Sequence, residues 1–224
     1  MTEGTGKTSR RGRILVWIVL AMPIVIGASI WHRLPDRMPV HWGISGEVDR
    51  YGSRFEGVFL LPLMVIFVNL LFWALPVLDP KKNIARFQPT LRLLCMVITG
   101  FLLMLWGMLI LNALGYGLAP NTFVPAAVTV LMLVFGNFFG KLKPNYFVGI
   151  RTPWTLESER VWIETHRMAG RIWVAASVVM LGLFPFLEGA WVIRFFLGYI
   201  FTLVAVPIVH SFLLFRRYDR AAKG

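Results

Sequence analysis

Six long apolar runs, at 14–30, 58–78, 93–114, 122–139, 172–187 and 191–215, leave this chain few ways to fold. A helical run of about 20 apolar residues matches the roughly 30 Å hydrocarbon core of a bilayer. Inside that core every backbone N–H and C=O needs an internal partner, which restricts a spanning chain to helices or a closed barrel. A barrel would show alternating segments of about ten residues, and the sequence has none. The residue balance agrees, with 57% hydrophobic and 15% charged residues against roughly 25% charged in soluble domains. The expected fold is all-α, a polytopic transmembrane helical bundle of about six spans. The first run follows Lys7, Arg10, Arg11 and Arg13. It is read as an uncleaved anchor rather than a signal peptide, because Trp17, Pro23 and its length suit a resident helix.

Six spans put both termini on one side. That side, made of the N-terminus, 79–92, 140–171 and the C-terminal tail, holds 18 of the 23 Lys/Arg and six of the 11 acids. It therefore carries the whole net charge of +12, while the opposite side has five residues of each sign. Lys/Arg excess marks the cytoplasmic face, so the expected topology is N-in/C-in. The chain divides into a basic N-terminus at 1–13, a first helix pair at 14–92 with an extracytoplasmic polar loop at 31–57, and a four-helix region at 93–224. The last region contains a cytoplasmic amphipathic segment at 140–171. Basicity of this kind reflects topology and implies no nucleic-acid partner, while anionic lipid is a natural neighbour. A single cysteine, Cys95, excludes an intrachain disulfide.

Ionisable residues in the spans are confined to Arg92, Arg194 and His210 near their ends, where long side chains reach the interface. Ion-coupled transport usually needs such a group near mid-membrane, so this pattern argues against it. Asn69, Asn112 and Asn137 read as interhelical glue. The alternative is a transporter or lipid-handling protein with a site between the spans at these asparagines. Gly136-x-x-x-Gly140 permits close helix contact in the fourth span.

Two polar loops remain. The outer one places His41, Glu47 and Asp49 in a segment turned by Gly43, Gly46 and Gly52, without the spacing of a metal motif. The inner one opens on the turn-prone Lys143-Pro-Asn145, and Thr152-Pro-Trp154 stops any helix passing through it. Thr155 is expected to cap the next helix. Along that helix Ser158, Trp162, Thr165/His166, Ala169 and Trp173 form one stripe opposite Glu157, Arg160, Glu164, Arg167 and Arg171, as in a helix lying at the inner interface. Arg151 suits a clamp on an anion or a carbonyl. Ser158, Glu164 and His166 are the residue types of a hydrolase triad. Yet Ser158 and His166 stand two turns apart, about 12 Å along the axis, and no Gly-x-Ser-x-Gly elbow is present. No catalytic residue, metal or cofactor is expected.

The inner segment carries Asn145-x-x-x-Gly149-Ile-Arg-Thr-Pro, then Trp154-Thr-Leu, Trp162, His166 and Gly170. The outer loop carries Leu34-Pro-Asp-Arg-Met-Pro-Val-His41, Gly46-x-x-Asp49 and Tyr51-Gly52. The first set resembles the signature of the SdpI family of bacterial membrane proteins. The second resembles the uncharacterised domain that precedes it in many members. The resemblance implies a multi-pass protein of the bacterial inner membrane that confers immunity to an envelope-active peptide, or signals by docking a cytoplasmic regulator. On that reading Asn145, Gly149, Arg151, Thr152, Trp162 and His166 form the partner-binding segment. Pro39, His41, Gly46, Asp49 and Gly52 mark the extracytoplasmic surface that would meet the peptide.

Overall fold

The computed structural model describes residues 10–43, 45–80 and 82–223. The start of the basic N-terminus, including Lys7, and Lys81 of the 79–92 connection lie outside these residues. Among the described residues there are seven α-helices: α1 (Arg10–Ser29), α2 (Arg54–Leu78), α3 (Gln88–Ala113), α4 (Pro120–Phe139), α5 (Pro153–Glu157), α6 (Glu159–Leu183) and α7 (Ala190–Lys223). Two strands, β1 (Arg37–Trp42) and β2 (Val48–Ser53), form the one sheet. Five helical stretches, Arg54–Leu78, Ile84–Ala113, Pro120–Phe139, Glu159–Phe186 and Ala190–Ala221, are long and apolar enough to cross a bilayer. The chain is a multi-pass, all-α membrane bundle. The first of the six expected spans forms a helix too, but its described apolar stretch, Ile14–Ser29, is shorter, about 24 Å by the standard rise.

Residues 31–57 are not an open loop. A 3-10 turn at Trp31–Arg33 leads into the β1–β2 hairpin, and α2 already begins at Arg54. The strands pair antiparallel, with Pro39 opposite Tyr51 and an irregularity at residue 40 that re-registers His41 against Arg50. Pro39 offers no N–H and Val40 is bulged, so this ribbon could not stand alone. Its fully buried Met38 presses on Gly57 of α2 and joins Leu34, Val58, Trp106, Leu109 and Ile110 in a core cluster. Trp106 Nε1 donates to the Val58 carbonyl (2.8 Å), tying α3 to the start of α2. Ser53 Oγ caps α2 by accepting from Glu56 N (3.1 Å).

The helices pack as two groups. In the first, α1 and α3 lie against α2, and Gly27 of α1 lets the backbones approach at Val58. Asn69 acts as the expected glue, its Nδ2 donating to Thr99 Oγ1 (2.8 Å) and Val65 O (2.9 Å) while Cys95 Sγ donates to its Oδ1 (3.4 Å). Among the described residues the Asn112 side chain bonds back to Met108 O of its own helix, and Asn137 is exposed. The three asparagines thus do not converge on one site. In the second group α6 packs between α4 and α7. The α4–α6 crossing is made by Gly136 against Gly170, where a Cβ on Gly170 would fall 2.7 Å from the Gly136 carbonyl oxygen. Gly140 meets nothing closer than Arg167 Cγ at 3.9 Å, so only one glycine of the expected pair makes the contact. Ser177 and Tyr199 hydroxyls (2.7 Å), and Trp173 Nε1 donating to Leu203 O (2.9 Å), close α6 on α7.

Candidate functional site

The inner segment between α4 and α6 folds around one side chain. Asn145 is fully buried, and its four hydrogen-bonding positions are all used inside the loop. Its Oδ1 accepts from Phe147 N (2.8 Å) and Val148 N (2.7 Å), while Nδ2 donates to Lys143 O (2.8 Å) and Val148 O (3.0 Å). Asparagine is suited to this because its amide both donates and accepts over a short reach. Replacing Asn145 by Asp would turn both donors into a charge facing two carbonyls. Each buried polar group left unsatisfied costs about 1–3 kcal/mol. Asn145→Asp is therefore expected to lower the thermal unfolding midpoint in detergent clearly, whereas a midpoint unchanged from wild type would contradict this role.

Downstream of Asn145 the loop is fastened to α6. Gly149 has φ +119°, which favours glycine, and its Cα faces the His166 ring so closely that a Cβ would lie 2.5 Å from Nε2. His166 Nε2 accepts from Ile150 N (2.9 Å), and Nδ1 bonds the Trp162 carbonyl (2.8 Å). A ring nitrogen that accepts a backbone N–H carries no proton, so the geometry selects the neutral Nδ1–H tautomer. The Trp162 and His166 rings stack at 4.1 Å with 21° between planes, and Trp162 Nε1 donates to Leu142 O (2.9 Å). Both side chains are buried, at 0% and 1% exposure. Asn83, from the connection between α2 and α3, donates to Pro144 O (2.9 Å), which joins the first helix group to this loop.

Local helix ends differ from expectation in one respect. Thr152, not Thr155, caps the helix that follows the Pro, and that helix is the single-turn α5. Thr155 is its buried third residue, returning a capping bond to Thr152 N (2.9 Å) and donating to Ile150 O (2.8 Å). Ser158 then caps α6 by accepting from Val161 N (3.3 Å). The expected stripe exists, but it does not rest on lipid. Val161, Trp162, Thr165, His166 and Ala169 are buried, Trp162 and Ala169 in one cluster with Leu142 of the loop and Phe139 of α4, and α6 runs unbroken from this region into its span. Trp154 Nε1 donates to Ser211 Oγ on α7, and Ser211 in turn donates to Ile208 O (2.7 Å). Glu164 accepts from Tyr218 (2.6 Å) and from Arg160 Nε (3.2 Å), with the Arg160 guanidinium over the Tyr218 ring. The triad residue types are thus dispersed into a cap, a backbone acceptor and an inter-helix bridge.

Arg151 is the exception among the inner signature residues, since it is exposed. Its Nη1 donates to the Tyr146 carbonyl (2.6 Å), the carbonyl clamp expected of it. Ser211, Tyr218 and Asn83 were not singled out from the sequence. A lone serine or tyrosine near the end of an apolar run is the signal that Ser211 and Tyr218 leave, while Asn83 is one polar residue in a polar connection. The partners of all three are 54 or more residues away.

At the opposite end of the bundle the hairpin tip is turned by Gly46 (φ +85°), whose Cα abuts the Asn121 side chain at the start of α4. His41 Nδ1 and Asp49 Oδ1 meet across the strands at 2.6 Å, with side chains 64% and 49% exposed. Gly52 admits the Glu56 carboxylate, which also receives Arg50 (2.8 Å). Arg54 pairs with Asp36 (2.6 Å) beneath the ring of Trp31. Among the described residues no three His, Cys, Asp or Glu side chains come together as metal ligands.

Comparison with known proteins gives three findings. Residues 141–211 match the model of the SdpI/YfhL protein family, and residues 18–66 match a domain of unknown function, DUF1648. The chain is 23% identical over 214 residues to the Immunity protein SdpI of Bacillus subtilis (strain 168), covering 94% of this chain and 97% of that one. No solved structure matches it.

Proposed function

We propose that this chain, which belongs to the SdpI family, is a membrane immunity protein that receives an envelope-active peptide on its outer hairpin and docks a cytoplasmic regulator on its inner loop. The observation that carries the reading is the end-to-end similarity to a protein named for immunity, which spans the hairpin, the helices and the inner loop together. The geometry supports a division of labour among the signature residues. Asn145, Gly149, Thr152, Trp162 and His166 hold the loop in shape, and the exposed Arg151 forms the rim offered to a partner. Outside, the charged pairs on the hairpin and the exposed rings of Tyr51 and Phe55 give an amphipathic peptide both kinds of contact it needs.

The test is deletion of the gene followed by challenge with a panel of envelope-active peptides. Sensitivity to at least one peptide should rise and return to normal with the wild-type gene. Complementation by the Tyr51→Ala/Phe55→Ala variant should fail at unchanged membrane abundance, since these side chains are exposed. A regulator captured by the wild-type protein should be lost with Arg151→Ala. Unchanged sensitivity across the panel, together with no co-purifying protein, would overturn the reading.

A further inference from the structure

Between the two helix groups, at the basic end of the bundle, lies a cavity of about 410 Å³. This is within the roughly 300–1,000 Å³ typical of ligand pockets. Its walls are side chains such as Phe72, Ile98, Phe135 and Trp173, and the inner loop from Val148 to Thr152 closes one end, with Arg151 among the lining residues. On the α7 side it is lined by Val204 and Ile208, which are 52% and 40% exposed. The geometry points to a lipid site: the cavity takes an acyl chain of an anionic phospholipid from the adjacent leaflet, and Arg151 binds its phosphate.

Charge and solvent together select that occupant. Apolar walls offer ordered water few hydrogen-bond partners, and α7, which lines the cavity, is long and apolar enough to cross a bilayer. In a bilayer, however, an acyl chain gains little by leaving its neighbours for an apolar pocket. Selection must come from the polar end. A guanidinium has five N–H donors; Arg151 commits one to Tyr146 O and belongs to none of the ion pairs among the described residues. Its other donors are therefore open to an anion, at the end of the protein that carries the entire net positive charge. Arginine forms bidentate, charge-assisted bonds to phosphate. The inference goes beyond the immunity reading and stands or falls separately from it, because its readout is lipid binding by purified protein.

The experiment titrates delipidated full-length protein in detergent with phosphatidylglycerol or phosphatidylcholine of matched chains, following bound lipid by native mass spectrometry and the unfolding midpoint in parallel. Glycerol phosphate is the control for a headgroup acting alone. Phosphatidylcholine carries the same phosphate, but its quaternary ammonium cancels the headgroup charge and is repelled by Arg151, so wild type should bind phosphatidylglycerol about tenfold more tightly. Glycerol phosphate should give no stabilisation. Arg151→Gln should abolish the preference and Arg151→Lys should keep part of it. Arg167→Gln, at another exposed arginine of the same face, should leave it intact. Ile98→Trp should fill the cavity and remove saturable binding of both lipids, a result that holds even where Arg151→Gln fails to fold. Equal binding of the two lipids by wild type, an equal loss with Arg167→Gln, or undiminished binding by Ile98→Trp would each overturn the proposal.

Discussion

Gly170→Leu is expected to separate α4 from α6 and to unfold the second helix group at markedly lower temperature than wild type. A Cβ at Gly170 would stand 2.7 Å from the Gly136 carbonyl oxygen and 3.4 Å from Phe139 Cβ. At Gly136 it would stand 2.7 Å from Trp173 Cβ and 3.1 Å from both Gly170 O and Val174 N. These neighbours are backbone atoms or side-chain roots, which move only if the helices move. Overpacking a well-filled contact costs about 1–3 kcal/mol and sometimes more. In a membrane this contact carries unusual weight, because helices there associate through close packing rather than through burial from water. The inner loop would be lost with it, since α6 supplies Trp162 and His166 while α4 supplies Phe139 beneath them. The controls are Gly182→Ala and Gly198→Ala, where a Cβ meets nothing within 4 Å. These should unfold at or slightly above the wild-type midpoint, because Ala is the better helix former by up to about 1 kcal/mol. Thermal unfolding of the purified variants in one detergent decides the matter. A Gly170→Leu midpoint equal to that of Gly182→Ala would show that the crossing does not hold the bundle together.

That crossing also shows where sequence reasoning runs out. Gly136-x-x-x-Gly140 draws attention to α4, yet the second member of the contact is Gly170, on another helix. A motif read along one helix cannot name a partner that only packing supplies. The spans were legible because an apolar run of bilayer length has one physical interpretation. The Thr152-Pro break, the stripe through Trp162 and His166 and the Arg151 contact with a carbonyl were legible for similar reasons, each being a local rule obeyed locally. Of the three asparagines read as interhelical glue, only Asn69 bonds across helices among the described residues. The hairpin was not. Its turn is five residues long rather than a two-residue Asn-Gly, its strands contain Pro39 and a bulge, and the Met38–Gly57 contact that anchors it is tertiary. The misplaced cap has a comparable cause. Thr152, Thr155 and Ser158 are all good capping types at three-residue spacing, and the loop's closure on His166 decides which of them starts which helix. An amphipathic stripe alone does not distinguish a helix resting on lipid from one roofed by its own loop.

Gly149→Ala is expected to produce the second large effect, and pairing it with His166→Ala separates its two causes. Alanine at φ +119° is strained whatever surrounds it, at about 1–3 kcal/mol for such backbone. In addition its methyl would lie 2.5 Å from His166 Nε2 and 3.3 Å from the Trp162 ring, where it would push Ile150 N–H away from its acceptor. His166→Ala alone leaves Ile150 N unpaired and strips the stacking partner from Trp162. Each single variant should therefore lose stability. In the double variant the imidazole is absent, so the 2.5 Å clash disappears, leaving the backbone strain and the milder approach to Trp162. The two losses should sum to more than the double variant shows, with a coupling of about 0.5–3 kcal/mol for residues in contact. Unfolding free energies of the four proteins in denaturant measure it. Additivity within about 0.5 kcal/mol would mean that Gly149 is required for its backbone conformation alone and not for its approach to the imidazole.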